Sequence, residues 1–420
     1  MNKIKSTIHF NEALKSGAPA SFSTMVKPFG SLCNLDCSYC YYLDKSDTVY
    51  NKNQPAMSLE ILEEYTRQYI EANQIPEVTF IWHGGESLMA GLAYYKTAME
   101  FQKKYAGGKT IINTLQTNGT LLNADWCKFF HDNRFLIGIS IDGPRNVHDT
   151  YRVNKAGAPT YSKVIDAINL MVRHRVEYNT LSVVNNLSEG RGAEIYLFLK
   201  SVGSRYMQFL PALEYVIKPE GTGKPYIVKP GTAGSERAPW SVSPLGYGKF
   251  LTDIFDEWVL RDVGTTFVQA FDMTLTQWVG AKPGMCVYAE TCGDALVVEH
   301  NGDVFSCDHF VYPEHKLGNI LETDLRVLYQ SPKQFEFGIN KRNTLPRYCL
   351  RCKYYFACKG ECPKHRFAKT EFGEENLNAL CEGFKHYFAH VEPYMDEMKR
   401  LLLMKKAPAL VMEWARKRKR

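Results

Sequence analysis

Through the first half of the chain, short β-rich runs alternate with amphipathic runs of helical period. Strands are predicted at 24–27, 78–82, 110–116, 136–141, 179–184 and 206–210. Helices are predicted between them, at 59–72, 92–105, 124–133, 162–173 and 193–202. Ser58 supplies an N-cap for the first helix, with Ile61 rather than a capping-box Glu at N3. Repeated strand–helix units predict a parallel sheet, closed or partly closed as an α/β barrel. Functional loops in such barrels follow the C-terminal ends of the strands.

The rhythm breaks between 218 and 244, where Gly221, Gly223, Gly231 and Gly234 are mixed with five prolines. This predicts a long loop, a linker or a lid. An amphipathic helix follows at 247–261. Asn301-Gly302 marks a hairpin between 295–299 and 304–307. A second amphipathic stretch, 394–404, precedes Lys405-Lys406 and the basic run 415–420. A frayed, solvated end is the expected state of that run, and Pro408 interrupts a continuous anchor. The 420 residues exceed one ordinary core, so two or three domains are expected.

Composition narrows the setting. The formal net charge of +6 is modest and does not imply nucleic acid. No apolar run approaches the ~20 residues of a membrane span. The first 23 residues lack an apolar signal core, so a cytoplasmic location is expected. Twelve cysteines in a reducing compartment are expected to bind metal rather than to pair.

Three of them lie in Cys33-Asn-Leu-Asp-Cys37-Ser-Tyr-Cys40, spaced C-x3-C-x2-C just after the first strand. Three thiolates can hold three irons of a 4Fe–4S cube and leave the fourth iron open to a small molecule. A zinc knuckle would favour four ligands and C-x2-C pairs. Eight more cysteines fall in the second half: Cys286, Cys292, Cys307, Cys349, Cys352, Cys358, Cys362 and Cys381. Their number suits two fully ligated cubes, and equally two zinc sites. Cys127 stands apart in a helical stretch and reads as a small core residue.

The triplet, with Tyr39 before its last cysteine, resembles the cluster motif of the radical S-adenosylmethionine (SAM) enzymes. The later cysteines resemble the SPASM extension of radical SAM peptide-modifying enzymes. Met25-Val-Lys-Pro-Phe-Gly, Trp82-His-Gly-Gly-Glu86, Gln116-Thr-Asn-Gly, Ser140-Ile-Asp-Gly-Pro144 and Cys307-Asp308 resemble the anaerobic sulfatase-maturating enzymes across nearly the whole chain. One departure is Ser87, where that family usually has Pro.

The resemblance implies an α/β fold: a partial (β/α)6 radical-SAM barrel at 1–235, a cysteine-rich SPASM domain with two auxiliary iron–sulfur clusters at 236–390, and a C-terminal helix and basic tail at 391–420. It implies oxidation of a Cys or Ser in a sulfatase, within a C/S-x-P-x-R type motif, to Cα-formylglycine. The cofactors would be three 4Fe–4S clusters and SAM. The partners would be the sulfatase polypeptide and a low-potential electron donor such as ferredoxin or flavodoxin, with no nucleic acid and no membrane. By the family's pattern Cys286, Cys292, Cys307 and Cys362 hold one auxiliary cluster, and Cys349, Cys352, Cys358 and Cys381 the other. Tyr39, Gly84, Gly85, Glu86, Ser140, Arg152 and Leu213 would contact SAM, with Arg152 on its carboxylate and Leu213 against its adenine; Gln116 and Asp142 are weaker candidates. Asp308 would be the base that takes the substrate proton beside the first auxiliary cluster. A SPASM maturase forming thioether or carbon–carbon crosslinks, and an iron–sulfur electron carrier without chemistry of its own, are the competing readings.

Overall fold

The computed structural model describes residues 21–42, 56–219, 221, 225–229 and 231–418. The first 20 residues and the last two of the basic run lie outside them. Six parallel strands form the first half: β1 (Ser23–Val26), β2 (Glu77–Trp82), β3 (Thr110–Thr117), β4 (Leu136–Ser140), β5 (Glu177–Val184) and β6 (Tyr206–Pro211), paired in that order. Between them run α1 (Leu59–Ala72), α2 (Leu92–Tyr105), α3 (Ala124–Asp132), α4 (Arg145–Tyr151), α5 (Tyr161–Arg173) and α6 (Gly192–Ser201). Ser58 caps α1 by accepting from the Ile61 amide at 3.2 Å.

Alternation along the strands sets the core. On β2, Val78, Phe80 and Trp82 are buried while their neighbours are partly exposed. Phe80 meets Tyr65 and Tyr69 of α1 edge to face, and Trp82 meets Tyr95 of α2. The short helix α4, unpredicted, has too few residues for periodicity to register.

The stretch predicted as a loop or linker carries structure of its own. β8 (Tyr226–Val228) and β9 (Glu236–Arg237) flank β7 (Tyr215–Ile217) in an antiparallel sheet, so a boundary at 235/236 would cut it. Pro244 does not end that stretch but opens α7 (Pro244–Arg261). It sits in the first turn behind the N-cap Ser243, where a missing N–H costs nothing.

β10 (Phe267–Val268) extends the main sheet beyond β6 and leads into α8 (Gln269–Trp278). The predicted hairpin forms as β11 (Ala295–Val298) and β12 (Asp303–Phe305), joined antiparallel, with β13 (Lys316–Asn319) beside β12. It does not stand alone: β11 pairs in parallel with β1, Val26 opposite Val298. One ten-stranded sheet therefore runs through both halves of the chain. Short helices α9 (Leu325–Tyr329), α10 (Pro332–Asn343), α11 (Arg347–Leu350) and α12 (Tyr355–Cys358) follow. The amphipathic stretch 394–404 is the second half of α13 (Cys381–Leu403), a 23-residue helix with Pro393 inside. A boundary at 390/391 would cut that helix. α14 (Val411–Arg418) packs back on α7 and α13. Among the described residues, no helix is long and apolar enough to cross a membrane.

Candidate active site

Because β1–β6 are parallel, the loops at their C-terminal ends gather at one edge of the sheet. The loop after β1 brings Cys33, Cys37 and Cys40 there, within electrostatic reach of one another. The Leu35 amide points at the Cys33 sulfur at 3.3 Å, and Asn118 Nδ2 donates to it at 3.6 Å. Burial pushes the Cys33 thiol up to about 11 and that of Cys37 to about 12. Thiols so desolvated ionise only against strong local positive charge, which iron supplies. Three converging, partly buried cysteines with N–H donors aimed at the sulfur of one of them suit a cluster with one open iron.

Gly84 and Gly85 serve a backbone crossing. The Gly85 amide donates to the Gly30 carbonyl at 2.8 Å and the Glu86 amide to that of Leu32 at 2.9 Å. A Cβ on Gly85 would stand 2.0 Å from the Leu32 oxygen, and Gly84 has φ +123°. The loop after β2 is thus stapled to the segment leading into Cys33. The Glu86 carboxylate turns inward. Its Oε1 accepts from the Thr117 hydroxyl at 2.7 Å and the Leu88 amide at 3.0 Å, and its Oε2 from the Asn118 amide at 2.7 Å. These bonds brace the loops after β2 and β3, so the Glu86 side chain serves the fold. Ser87 takes the first position of a short turn capped by Glu86, a position that proline also suits, so the departure leaves this geometry compatible with the family's.

The remaining expected SAM contacts lie along the same edge. Ser140, at the end of β4, accepts from Gln116 Nε2 at 3.0 Å. Arg152, expected on a ligand carboxylate, pairs through Nε with Asp142 Oδ1 at 3.0 Å. Asp142 also receives the Tyr39 hydroxyl, and the Arg152 guanidinium lies 5.5 Å from the Tyr39 ring centroid. Leu213, just past β6, is buried in the main core.

Asp308 sits where the two halves meet. Its carboxylate pairs with Lys27 Nζ at 2.6 Å, and accepts from the Tyr41 hydroxyl and, at 3.1 Å, from that of Tyr42. Lys27 is fully buried and also reaches Glu299 Oε1 at 2.9 Å. This follows from the sheet register: Lys27 follows Val26 just as Glu299 follows its partner Val298. His83 Nδ1 lies 3.1 Å from the Tyr42 hydroxyl. Burial alone would raise the Asp308 carboxyl, but Lys27, His83 and His309 outweigh it and hold the group far below the usual carboxylate range. The carboxylate is ionised and mostly buried, unlike a solvated turn residue. Lys27, Tyr41, Tyr42 and His83 lie inside the segments Met25-Val-Lys-Pro-Phe-Gly, Cys40-Tyr-Tyr-Leu and Trp82-His-Gly-Gly-Glu86 that carry the family resemblance, and Glu299 ends a predicted strand, but none of the five was assigned a role from sequence.

The other eight cysteines fall into two groups. Cys307 feels the charges of Cys286 and Cys292, and Cys362 those of Cys307 and Cys292. Cys349, Cys352, Cys358 and Cys381 line a small cavity walled by Tyr354, Phe384 and Phe388. Cys362 thus leaves its sequence neighbours for the distant hairpin, and Cys381 at the start of α13 takes the fourth place. Cys127 is buried in the core on α3. A groove lined by Val228, Lys229, Phe310, Tyr312 and Lys364 includes Tyr41. Ion pairs of Lys364 with Glu214, at 2.7 Å, and of Lys229 with Glu314 tie its walls together.

Residues 28–199 match the sequence profile of the Radical SAM superfamily, and 286–353 that of SPASM, an iron–sulfur cluster-binding domain. The chain is 49% identical to a serine-type anaerobic sulfatase-maturating enzyme of Bacteroides thetaiotaomicron, over 93% of this chain and 94% of that one. It is 34% identical to a cysteine-type enzyme of Clostridium novyi, over 88% and 94%. A solved structure described as native anSMEcpe with bound AdoMet superposes with a TM-score of 0.79 at 31% identity, covering 90% of this chain and 99% of the other.

Proposed function

The chain belongs to the anaerobic sulfatase-maturating enzymes, radical SAM enzymes that oxidise a Cys or Ser of a sulfatase to Cα-formylglycine, and from that membership we propose how its own residues carry the reaction. Cys33, Cys37 and Cys40 would hold the cluster that, when bound, supplies the electron for SAM cleavage and so the 5′-deoxyadenosyl radical that takes hydrogen from the substrate Cβ. The backbone of Gly84, Gly85 and Glu86 would receive the SAM ammonium. Ser140, Tyr39, Arg152 and Leu213 would border the rest of SAM, with Asp142 holding the Arg152 guanidinium in place through Nε. The eight later cysteines would hold two further clusters as the quartets described above.

Asp308 then takes the side-chain proton of the substrate while one electron leaves. A carboxylate held so far down is a weak base toward an alcohol. It suffices once the electron leaves, because the oxidised carbon is then a protonated carbonyl or thiocarbonyl, whose proton even a weak base accepts. Lys27 and the two tyrosines fix its position.

One observation carries this reading. The hydroxyl next to Cys40, that of Tyr41, is hydrogen-bonded to the carboxylate next to Cys307. With the roles proposed above, radical initiation and electron exit would flank one proton acceptor. The groove beside Tyr41 would admit the sulfatase segment. Higher identity to serine-type relatives supports Ser as the preferred residue. None of the twelve cysteines forms a disulfide, which supports a cytoplasmic enzyme; a low-potential donor such as ferredoxin or flavodoxin would supply its electrons.

Asp308→Asn tests the assignment with paired Ser and Cys sulfatase peptides. Formylglycine is expected to fall roughly 10²–10⁴-fold. Formation of 5′-deoxyadenosine and iron content should persist. An unchanged ratio of formylglycine to 5′-deoxyadenosine would take the base role from Asp308.

A further inference from the structure

Two buried cations lie against the cysteine quartets. Lys341, on α10, is 1% exposed, and its ammonium donates to the Cys286 carbonyl at 2.5 Å and that of Val287 at 2.9 Å. Arg366 is 7% exposed and donates to the carbonyls of Gly360 at 2.8 Å and of Lys359 and Glu361 at 3.0 Å, and to that of Lys341. Every recorded acceptor is a backbone oxygen, and several belong to residues that flank ligand cysteines. Among the described residues, neither cation forms an ion pair with a carboxylate.

Two cations kept together out of water need an anion nearby. The helix that carries Lys341 is itself seated on the first quartet: the Cys292 amide donates to the Gly338 carbonyl at 3.0 Å, one turn before Lys341, whose ammonium is bonded to the Cys286 carbonyl. Arg366 is bonded to the carbonyls of Lys359, next to Cys358 of the second quartet, and of Glu361, next to Cys362 of the first, and so lies between the two quartets. Lys341 serves the first quartet only. The cation beside the second, Lys385, is partly exposed and bonded to the Tyr348 hydroxyl.

Resting on the cluster assignment proposed above, we propose that Lys341, backed by Arg366, is the counter-ion of the cluster held by Cys286, Cys292, Cys307 and Cys362 and makes that cluster the electron acceptor. An added electron makes a thiolate-ligated cluster one charge more negative. A fixed cation in a low-dielectric site stabilises the reduced form more than the oxidised one and raises the potential. The electron comes from the substrate carbon radical, whose proton goes to Asp308 as the carbon–oxygen or carbon–sulfur double bond forms. It leaves to an external one-electron acceptor of the flavodoxin or ferredoxin class. Lys341 is thus a positioning residue for charge and touches no reacting atom.

The test is a redox titration followed by electron paramagnetic resonance, on the full chain with Cys33, Cys37 and Cys40 changed to Ala so that only the auxiliary signals remain. Lys341→Gln keeps a donor for the carbonyls but lacks the charge. It should make reduction of the first cluster at least tenfold less favourable, about 59 mV for one electron, with the second cluster unmoved. Lys341→Arg should restore the potential. An unchanged potential in Lys341→Gln, or an equal shift in both clusters, overturns the inference. If Lys341→Gln instead loses iron, recovery in Lys341→Arg supports the counter-ion role. No recovery assigns the site to shape and overturns it. If the parent chain itself holds fewer than about eight irons, two cubes of four, the cluster assignment fails first and the inference falls with it.

Discussion

His148 shows how much one buried side chain settles. It lies on α4 behind the Asp142–Arg152 pair, fully buried. Its Nδ1 accepts from the Asp142 amide at 3.4 Å, so Nε2 carries the proton and donates to the Thr160 hydroxyl at 3.1 Å. That hydroxyl donates in turn to the Arg152 carbonyl at 2.7 Å. The chain of bonds requires a neutral ring, and burial, only partly offset by Asp142, lowers its pKa from 6.5 to about 4. The unfolded chain therefore binds the proton first as pH falls. Stability from the neutral ring is complete above pH 6.5 and is lost as pH drops toward 4. The depression corresponds to about 3 kcal/mol. Anaerobic urea unfolding between pH 7 and 4 should show wild type losing stability relative to His148→Gln by up to that amount; parallel curves would remove His148 as the cause. None of this was legible, because a lone His carries no spacing signal. Arg152 and Asp142 were legible only through a motif and a resemblance. Lys27 was hidden differently, as the last residue of a predicted strand whose neighbour could not be known.

At the scale of elements, the contact of α7 with α13 stands out because backbone meets backbone. A Cβ on Gly248 would lie 2.3 Å from the Gly383 carbonyl oxygen, and one on Gly383 2.0 Å from that of Pro244. Neither neighbour is a side-chain end that could swing away. Gly248→Ala must part the helices, which costs roughly 1–3 kcal/mol or more for an overpacked interface. Cys381 opens α13, so the parting also loosens the second quartet. Both a lower thermal midpoint and a loss of up to about four irons per chain, one cube, are expected, with iron assay and melting run on one sample. Full iron and an unchanged melt would mean the helices have room to spare. The sequence marked 247–261 as an amphipathic helix, but periodicity names a buried face without naming its partner. For the same reason the quartets were grouped by resemblance: nothing in C-x2-C-x5-C-x3-C says that Cys362 belongs with a hairpin more than fifty residues earlier.

At the scale of the molecule, the sheet does not respect the halves that composition suggests. The six-strand rhythm of the barrel was legible in the alternating runs, and so was the hairpin around Asn301-Gly302. Their union through β1 and β11 was not, since a turn signal specifies neighbours along the chain only. A chain ended at residue 280 would leave β1 as an open edge of unpaired amides and carbonyls and strip Lys27 of Glu299 and Asp308. Such an edge invites pairing with other chains. This truncation is expected in the insoluble fraction, where fractionation of the expressed protein checks it. A soluble, monomeric fragment would show that β1 needs no partner on that side. The same pairing sets a clock on biosynthesis. Lys27 and Glu299 are 272 positions apart. At 5–20 residues per second, roughly 14–54 s pass between the emergence of one and of the other. For that interval the nascent barrel waits on the ribosome with Lys27 buried short of both its carboxylate partners, and the corner proposed to handle the substrate proton is still unbuilt.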